Sequence, residues 1–259
     1  MDEINYLPSG ATDAVAHSGG SVIAAHVHDH DQIVYVSAGL IAVTTSNGVW
    51  SVTPDRAVLI PAGVWHEHRI FGNTRVHALE LTDIAAVERD VDVPSVFAAS
   101  GLVRALQMEL TEARIPVALQ REAKALLSGL VAIAPRTGIR LPNPRDRRLA
   151  RVCAMVEADL GQNMPLSILS NAVNLSERSL SRLFRIDFGV TYPQWRSLVR
   201  VFHASAALLE DGGSVTEIAA RFGWATPSAF ITTFTQLVGQ TPASYQRRYR
   251  DTREGAGEV

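Results

Sequence analysis

Apolar and polar positions along the chain follow two rhythms. From Val22 to about Leu81, short apolar runs (IVYVSAGLIAVTTS, GVWSVTP, AVLIPAG, RVHALEL) are separated by Gly, Pro, Asn and Asp, with Asn47-Gly48 a sharp turn signal. Runs this short and this rich in β-branched residues predict a small antiparallel barrel or sandwich. From Pro94 the spacing changes. SVFAASGLVRALQMELTEAR and VALQREAKALLSGLVAIA repeat apolar residues at three- and four-residue intervals, which predicts two amphipathic helices whose stripe needs a partner surface. APRTGIRLPNPRDRR, with its prolines and arginines, reads as a linker running into a new, helical domain.

The second half repeats itself with a period of 50 residues, pairing Ile168 with Ile218, Ser176 with Thr226, Phe184 with Phe234, Gly189 with Gly239 and Thr191 with Thr241. Each copy is a short helix, a turn, an N-cap residue and a second helix ending at glycine: LSILSNAVNLSERSLSRLFRIDFG and VTEIAARFGWATPSAFITTFTQLVG. Ser176 can cap the first of these second helices; Thr226 followed by Pro227 is an N-cap with proline at the first helical position. Two helix-turn-helix units follow. The predicted class is α+β in two domains, an antiparallel β-barrel with appended helices and then an all-α double helix-turn-helix domain. The segments are a barrel over 1–93, a helical dimerisation segment over 94–134, a linker over 135–144, the helical domain over 145–250 and a disordered tail over 251–259.

Composition narrows the class. With 47% hydrophobic residues in 259, the chain can build two ordinary cores, which rules out a disordered or fibrous protein. MDEINYLPSG has neither a basic nor an apolar leader region, and no run approaches about eighteen uninterrupted apolar residues, so a cytoplasmic protein with no membrane partner is expected. Cys153 stands alone, which excludes an internal disulfide and a CxxC metal knuckle. The net charge of −2 conceals an asymmetry: residues 1–143 hold 10 basic and 15 acidic side chains (−5), while 144–250 hold 13 arginines and 8 acidic side chains (+5). That balance points to a polyanion partner for the second half alone.

On the helix after Ser176, Leu180, Leu183, Phe184 and Phe188 form one stripe, while Arg178, Arg182 and Arg185 recur on another face. A solvated arginine face is the ordinary meaning of such spacing. Within a duplicated helix-turn-helix it is also what a major-groove helix needs, because guanidinium groups bind guanine O6 and N7, or phosphate oxygens, with two bonds at once. Residues 145 to 250 resemble the DNA-binding domain of AraC-type (arabinose-regulator family) transcription regulators. The resemblance lies in LSERSLSRLFR, in WRSLVRVFHASAALLEDG, and in the A-x-x-x-G-W, S-A-F-x-x-x-F and G-Q-T-P-x-x-Y spacings of VTEIAARFGWATPSAFITTFTQLVGQTPASYQRR. It implies that Arg178, Ser181 and Arg182 face base edges in the first unit, with Arg185 towards the backbone, and that Ser228, Ile231 and Thr232 face bases in the second. Thr232, Thr233, Thr235 and Gln236 stand where such domains often carry arginine or lysine, so readout there should lean on methyl contacts and neutral hydrogen bonds.

The N-terminal half contains HVHDHDQIVY, residues 26 to 35. Gly20, His26-Val27-His28, Gln32 and Gly39, followed by Asp55, Pro61-Ala62-Gly63 and His66, are similar in spacing to the two signature motifs of the cupin β-barrel. Gln32 replaces the usual Glu, Asp55 the leading Gly, and Ile70 the usual Asn. On one strand, positions 26, 28, 30 and 32 would share a face, with His66 completing the group across the barrel and His68 of the same parity. The resemblance implies a site at His26, His28, Gln32 and His66. Three readings stay open: a divalent transition metal ion (Zn, Ni, Fe or Cu), weakened by the missing carboxylate; a metal-free polar pocket for an organic effector; or no ligand role. His17, His77 and His203 read as surface or packing residues. The whole implies a transcription regulator and not an enzyme, with double-stranded DNA, a small-molecule or metal effector, a second copy of itself and, for an activator, RNA polymerase as partners. The rival reading is a cupin-type metal-dependent enzyme, a dioxygenase or isomerase, fused to a DNA-binding module.

Overall fold

The computed structural model describes residues 5–6, 12–81, 93–136, 138–210 and 213–254. The chain forms two compact units, with Gly138 closing the barrel unit and Ile139 opening the helical one. In the first unit β1 (Asn5–Tyr6), β2 (Asp13–His17), β3 (Val22–Val27), β4 (Asp31–Thr45), β5 (Gly48–Val52), β6 (Arg56–Ile60), β7 (His66–Leu81) and β8 (Ser95–Ala98) precede α1 (Gly101–Thr111) and α2 (Val117–Ile133). The spine is the long antiparallel pair β4 and β7, in register from Asp31 opposite Leu81 to Thr45 opposite His66. β6 covers the first half of β4 and β5 the second, while β2 and β3 add to β7, β1 to β3 and β8 to β6. The predicted turn at Asn47-Gly48 joins β4 to β5, with the Asn47 amide donating to Thr45 Oγ1 at 3.0 Å. β4 bends where its register shifts between Val36 and Leu40. Gly39 sits there at φ +75°, and a Cβ at that point would collide with the Thr74 hydroxyl, so only glycine fits the bend.

β4 is apolar on both faces, and the two faces bury different cores. Val34, Val36, Ile41 and Val43 pack with Trp50, Val52, Val58, Ile60 and Ile70. Ile33 and Tyr35 pack instead with Leu59, Leu79, Phe97, Val103, Leu110, Leu127 and Val131, which brings in α1 and α2. The sequence pattern misplaced one element: Ser95–Ala98, expected to open a helix, is a strand paired with β6 from Leu59 opposite Ser95 to Arg56 opposite Ala98. Val96 and Phe97 point to opposite faces and are both buried, a period of two that a helix could not satisfy. The helix starts only after Ser100, whose side chain accepts from the Val103 amide.

The second unit, residues 139–248, holds α3 (Arg147–Ala158), α4 (Leu166–Ala172), α5 (Glu177–Phe188), α6 (Tyr192–Glu210), α7 (Val215–Arg221), α8 (Pro227–Val238) and the first half of α9 (Pro242–Glu254). The 50-residue repeat is visible as α4–α5 and α7–α8. Ser176 and Thr226 cap α5 and α8 by accepting from Ser179 N and Ala229 N, and Gly189 and Gly239 end them in the left-handed conformation. Phe184, Trp195 and Tyr192 form one aromatic core, Phe230, Phe234 and Tyr245 the other. The expected disordered tail begins inside α9; residues 255–259 lie outside the described residues.

Candidate functional site

The outward surface of α5 follows from its capped start and its buried side. Ser176 fixes where the helix begins, and Leu180 and Phe184, both fully buried, fix its rotation. Arg178, Arg182 and Arg185 are therefore exposed, with Ser181 half-buried among them. Asp187, near the other end, accepts from the Arg145 and Asp146 amides at 2.8 and 3.3 Å and ties α5 to the start of α3. In α8 the same logic turns Phe230, Phe234 and Val238 inward and leaves Ser228, Ile231 and Thr232 exposed. The threonines are not equivalent. Thr233 and Thr235 donate their hydroxyls to Ala229 O and Ile231 O of their own helix, at 2.9 and 2.7 Å, and so present methyl groups outward. Thr232, exposed on the same helix, makes no such bond among the described residues.

In the barrel, a cavity of about 270 Å³ is lined by the apolar Val15, Ile23, Val76 and Ala78 together with His17, His26, His28, His68, Gln32, Asp13 and Glu80. The expected single strand through positions 26 to 32 is interrupted: β3 ends at Val27 and β4 begins at Asp31. His30 turns away from the other imidazoles and sits between Asp29 (2.9 Å) and Glu80 (3.1 Å). His26 and His28 still converge with His66, at ring-centroid distances of 4.2 and 4.8 Å from it, and His68 stands 5.1 Å from His66. Gln32 is buried on the cavity wall; His66, wholly buried, packs behind the wall without lining it.

The hydrogen bonds decide what these rings can do. Nδ1 of His26, His28 and His66 lies 2.8, 2.6 and 2.8 Å from the carbonyls of Ala24, His30 and Val64. A carbonyl can only accept, so Nδ1 carries a proton in each case, and wherever the ring is neutral Nε2 is the lone-pair acceptor. Burial disfavours the charged form of three of the rings, lowering His28, holding His66 at about 3 and pushing His68 well below the usual imidazole range. Nε2 of His28 and of His66 and both ring nitrogens of His68 are buried with no partner among the described residues. Nitrogen donors of this kind suit Zn, Ni, Fe or Cu. The arrangement, however, does not gather them: among the described residues no three His, Cys, Asp or Glu side chains are placed to hold a metal ion.

A family profile described as a helix-turn-helix domain matches residues 169–248, and one described as a cupin domain matches residues 14–82. The chain joins a cupin domain to an AraC-type helix-turn-helix domain. It is 29% identical over 244 residues to the HTH-type transcriptional regulator NimR of Escherichia coli, an alignment that covers 90% of this chain and 86% of NimR. An uncharacterized HTH-type transcriptional regulator of Staphylococcus aureus is 31% identical over 101 residues, 39% of this chain but only 14% of that protein. Among solved structures, ToxT from Vibrio cholerae aligns over 91% of this chain and 97% of its own at 13% identity, with a TM-score of 0.40.

The residues expected to contact DNA all lie on the outward sides of α5 and α8, whereas the barrel site extends further than the motif residues. Glu80, Asp13 and His17 line the cavity without belonging to either motif. Parity along β7 could have found Glu80, because His66, His68 and Glu80 are all even-numbered on a strand whose even positions turn inward at both ends. Nothing local marked Asp13 and His17, which reach the site only because β2 pairs with the middle of β7. No helix of the described residues is long and apolar enough to cross a membrane.

Proposed function

We propose that this AraC-type DNA-binding regulator reads two stretches of the major groove with α5 and α8, and that an organic effector in the barrel cavity sets its DNA-binding state. The carrying observation is the pair of capped helices whose outward faces hold Arg178, Ser181 and Arg182 on one and Ser228, Ile231 and Thr232 on the other; Arg185, also exposed on α5, would then meet the phosphate backbone. Bidentate guanidinium contacts favour guanine on the α5 side, and methyl and hydroxyl contacts favour A·T pairs on the α8 side. The regulator works in the cytoplasm as a homodimer, carries out no catalysis of its own and, where it activates, meets RNA polymerase at the promoter. Leu119, Leu126 and Ile133 recur every seven residues along α2 and are 56%, 50% and 80% exposed, which supports α2 as the dimer seam. Leu110 and Leu127 are buried against the barrel instead.

The effector's chemistry follows from the wall. Neutral imidazole Nε2 atoms, Asp13 and Glu80 offer acceptors, and Val15, Ile23, Val76 and Ala78 offer an apolar floor, so the ligand should carry hydrogen-bond donors on an apolar body. A metal ion is the second reading, favoured by the three Nδ1 bonds, because a carbonyl that accepts from Nδ1 orients a metal-binding imidazole in the same way. Selection of bound duplexes from a random pool, with tag-free protein analysed for metal and by native mass spectrometry, tests both halves. A chain that enriches no sequence sinks the DNA reading. Stoichiometric Zn, Ni, Fe or Cu would replace the organic effector by the metal.

A further inference from the structure

Two arginines on α6 have no role in the surfaces described so far. Arg196 and Arg200, one helical turn apart, are both buried, at 9% and 7% exposure, and neither forms an ion pair among the described residues. Burying a guanidinium without a carboxylate is costly unless its donors are used, and desolvation, followed by repulsion from Arg196, lowers Arg200 to about 10. Some of their donors reach two turns, while Arg196 Nε and Arg200 Nη2 are buried with no partner among the described residues. Arg196 donates to Asn163 Oδ1 at 3.1 Å and to Gln162 O at 2.6 Å, in the loop that enters the first helix-turn-helix, and Tyr192 OH, a turn earlier, donates to Met164 O at 2.8 Å. Arg200 donates from Nε to Phe222 O and lies over the Trp224 ring at 3.9 Å, in the turn that leads into α8. Trp224 in turn packs on Phe230 of α8, with centroids 4.7 Å apart.

The two turns also touch each other directly. Gly223, at φ +71°, lies so close to Gly161 that a Cβ on it would collide with the Gly161 carbonyl, and a Cβ on Gly161 would stand 2.9 Å from Arg221 O. Both helix-turn-helix units thus meet backbone to backbone, at a point where one line of side chains on α6 holds each of them.

We propose that Tyr192, Arg196 and Arg200, closing on the Gly161–Gly223 contact, form a clamp that fixes α8 relative to α5, so that the spacing between the two bound DNA segments becomes a determinant of operator choice. Arginine suits the task because its planar fork satisfies two acceptors in fixed directions, which a flexible ammonium cannot do. The inference rests on the reading that α5 and α8 contact DNA. It concerns positioning residues, since neither arginine has a free face to offer a base.

The test uses the full chain on its selected duplex and on derivatives with one or two base pairs inserted between the segments. Each inserted pair turns the second segment by about 35° and moves it about 3.4 Å, so the wild type should lose about a hundredfold in Kd on the first insertion. Arg196→Met/Arg200→Met, folded by circular dichroism, should bind the native duplex more weakly yet lose less than about tenfold on the same insertion, because each unit can then dock separately. A folded variant with the wild-type spacing profile overturns the clamp. Should that variant fail to fold, spin labels on Ile186→Cys and Gln236→Cys in the otherwise wild-type chain decide the matter without DNA, Cys153 being buried. One narrow distance between α5 and α8, unchanged by adding duplex, supports the clamp, and a broad or shifting one overturns it. Because the label distance is read in the free chain, a failed clamp is distinguishable from a failed DNA reading, which shows as no enriched duplex at all.

Discussion

Acidification should weaken the barrel through His77 by an amount that can be isolated. His77 is fully buried between β7, β4 and α1, and its proton register is dictated by its neighbours. The Thr111 hydroxyl donates to Gln107 O at 2.8 Å, so it must accept from His77 Nδ1–H at 2.8 Å, and Nε2 then accepts from the Ser37 hydroxyl at 2.9 Å. Burial, with repulsion from Arg75 and Arg114, holds the ring at about 4, against 6.5 in an open chain. Between those values the unfolded chain binds the extra proton, so the contribution of a neutral His77 is complete above 6.5 and is lost as pH falls through the window towards 4. At pH 5.0, 1.5 units into it, the loss is about 2 kcal/mol, from about 1.36 kcal/mol per unit. The measurement is urea unfolding of the full chain at pH 7.5 and 5.0, with hydrogen exchange of barrel peptides to separate the units. His77→Gln is the comparison. His28, His66 and His68 weaken the barrel in the same direction but do so in both proteins and cancel. The wild type should therefore lose about 2 kcal/mol more than the variant on acidification; equal losses would refute the assignment.

Other expectations follow from single contacts. Arg182→Ala should cost about 1–3 kcal/mol on the selected duplex and relax one base pair, whereas Arg185→Ala should weaken all duplexes alike and lower the salt slope by about 1, as titrations at several salt concentrations would show. Ile133→Glu with Leu126→Glu should convert dimer to monomer in sedimentation without lowering Tm, while Leu110→Glu, aimed into the barrel, should destabilise the fold by several kcal/mol, roughly the cost of an unpaired buried charge. Gly39→Ala should cost on the order of 1–3 kcal/mol in thermal unfolding, because its Cβ meets Thr74 and its backbone is left-handed.

The DNA-binding half was legible in the sequence almost throughout, because its determinants are local. A helix-turn-helix is specified within some two dozen residues: Ser176 or Thr226 starts the helix, Gly189 or Gly239 stops it, and a buried Phe at a fixed offset turns the opposite face outward. The barrel's strands and its Asn47-Gly48 turn were local in the same way. What the sequence could not decide is which strands touch, since period-two alternation fixes the face a side chain takes but not the neighbour it meets. The β3–β7 pairing brings His66 and His68 beside His26 and His28, the β4–β7 register sets Glu80 opposite Gln32 on the same cavity, and β2 adds Asp13 and His17 from far along the chain. The run HVHDHDQIVY gave parity, yet the turn between β3 and β4 took His30 out of the cluster and into a pair with Glu80. Ser95–Ala98 was misread for a related reason: its periodicity is too short to identify a strand until β6 supplies the other half of the ladder. Nothing in the sequence marks the arginines of α6 as buried; only packing shows Arg196 and Arg200 turned inward, with donors directed at the turns of two repeats that the sequence presents as separate units.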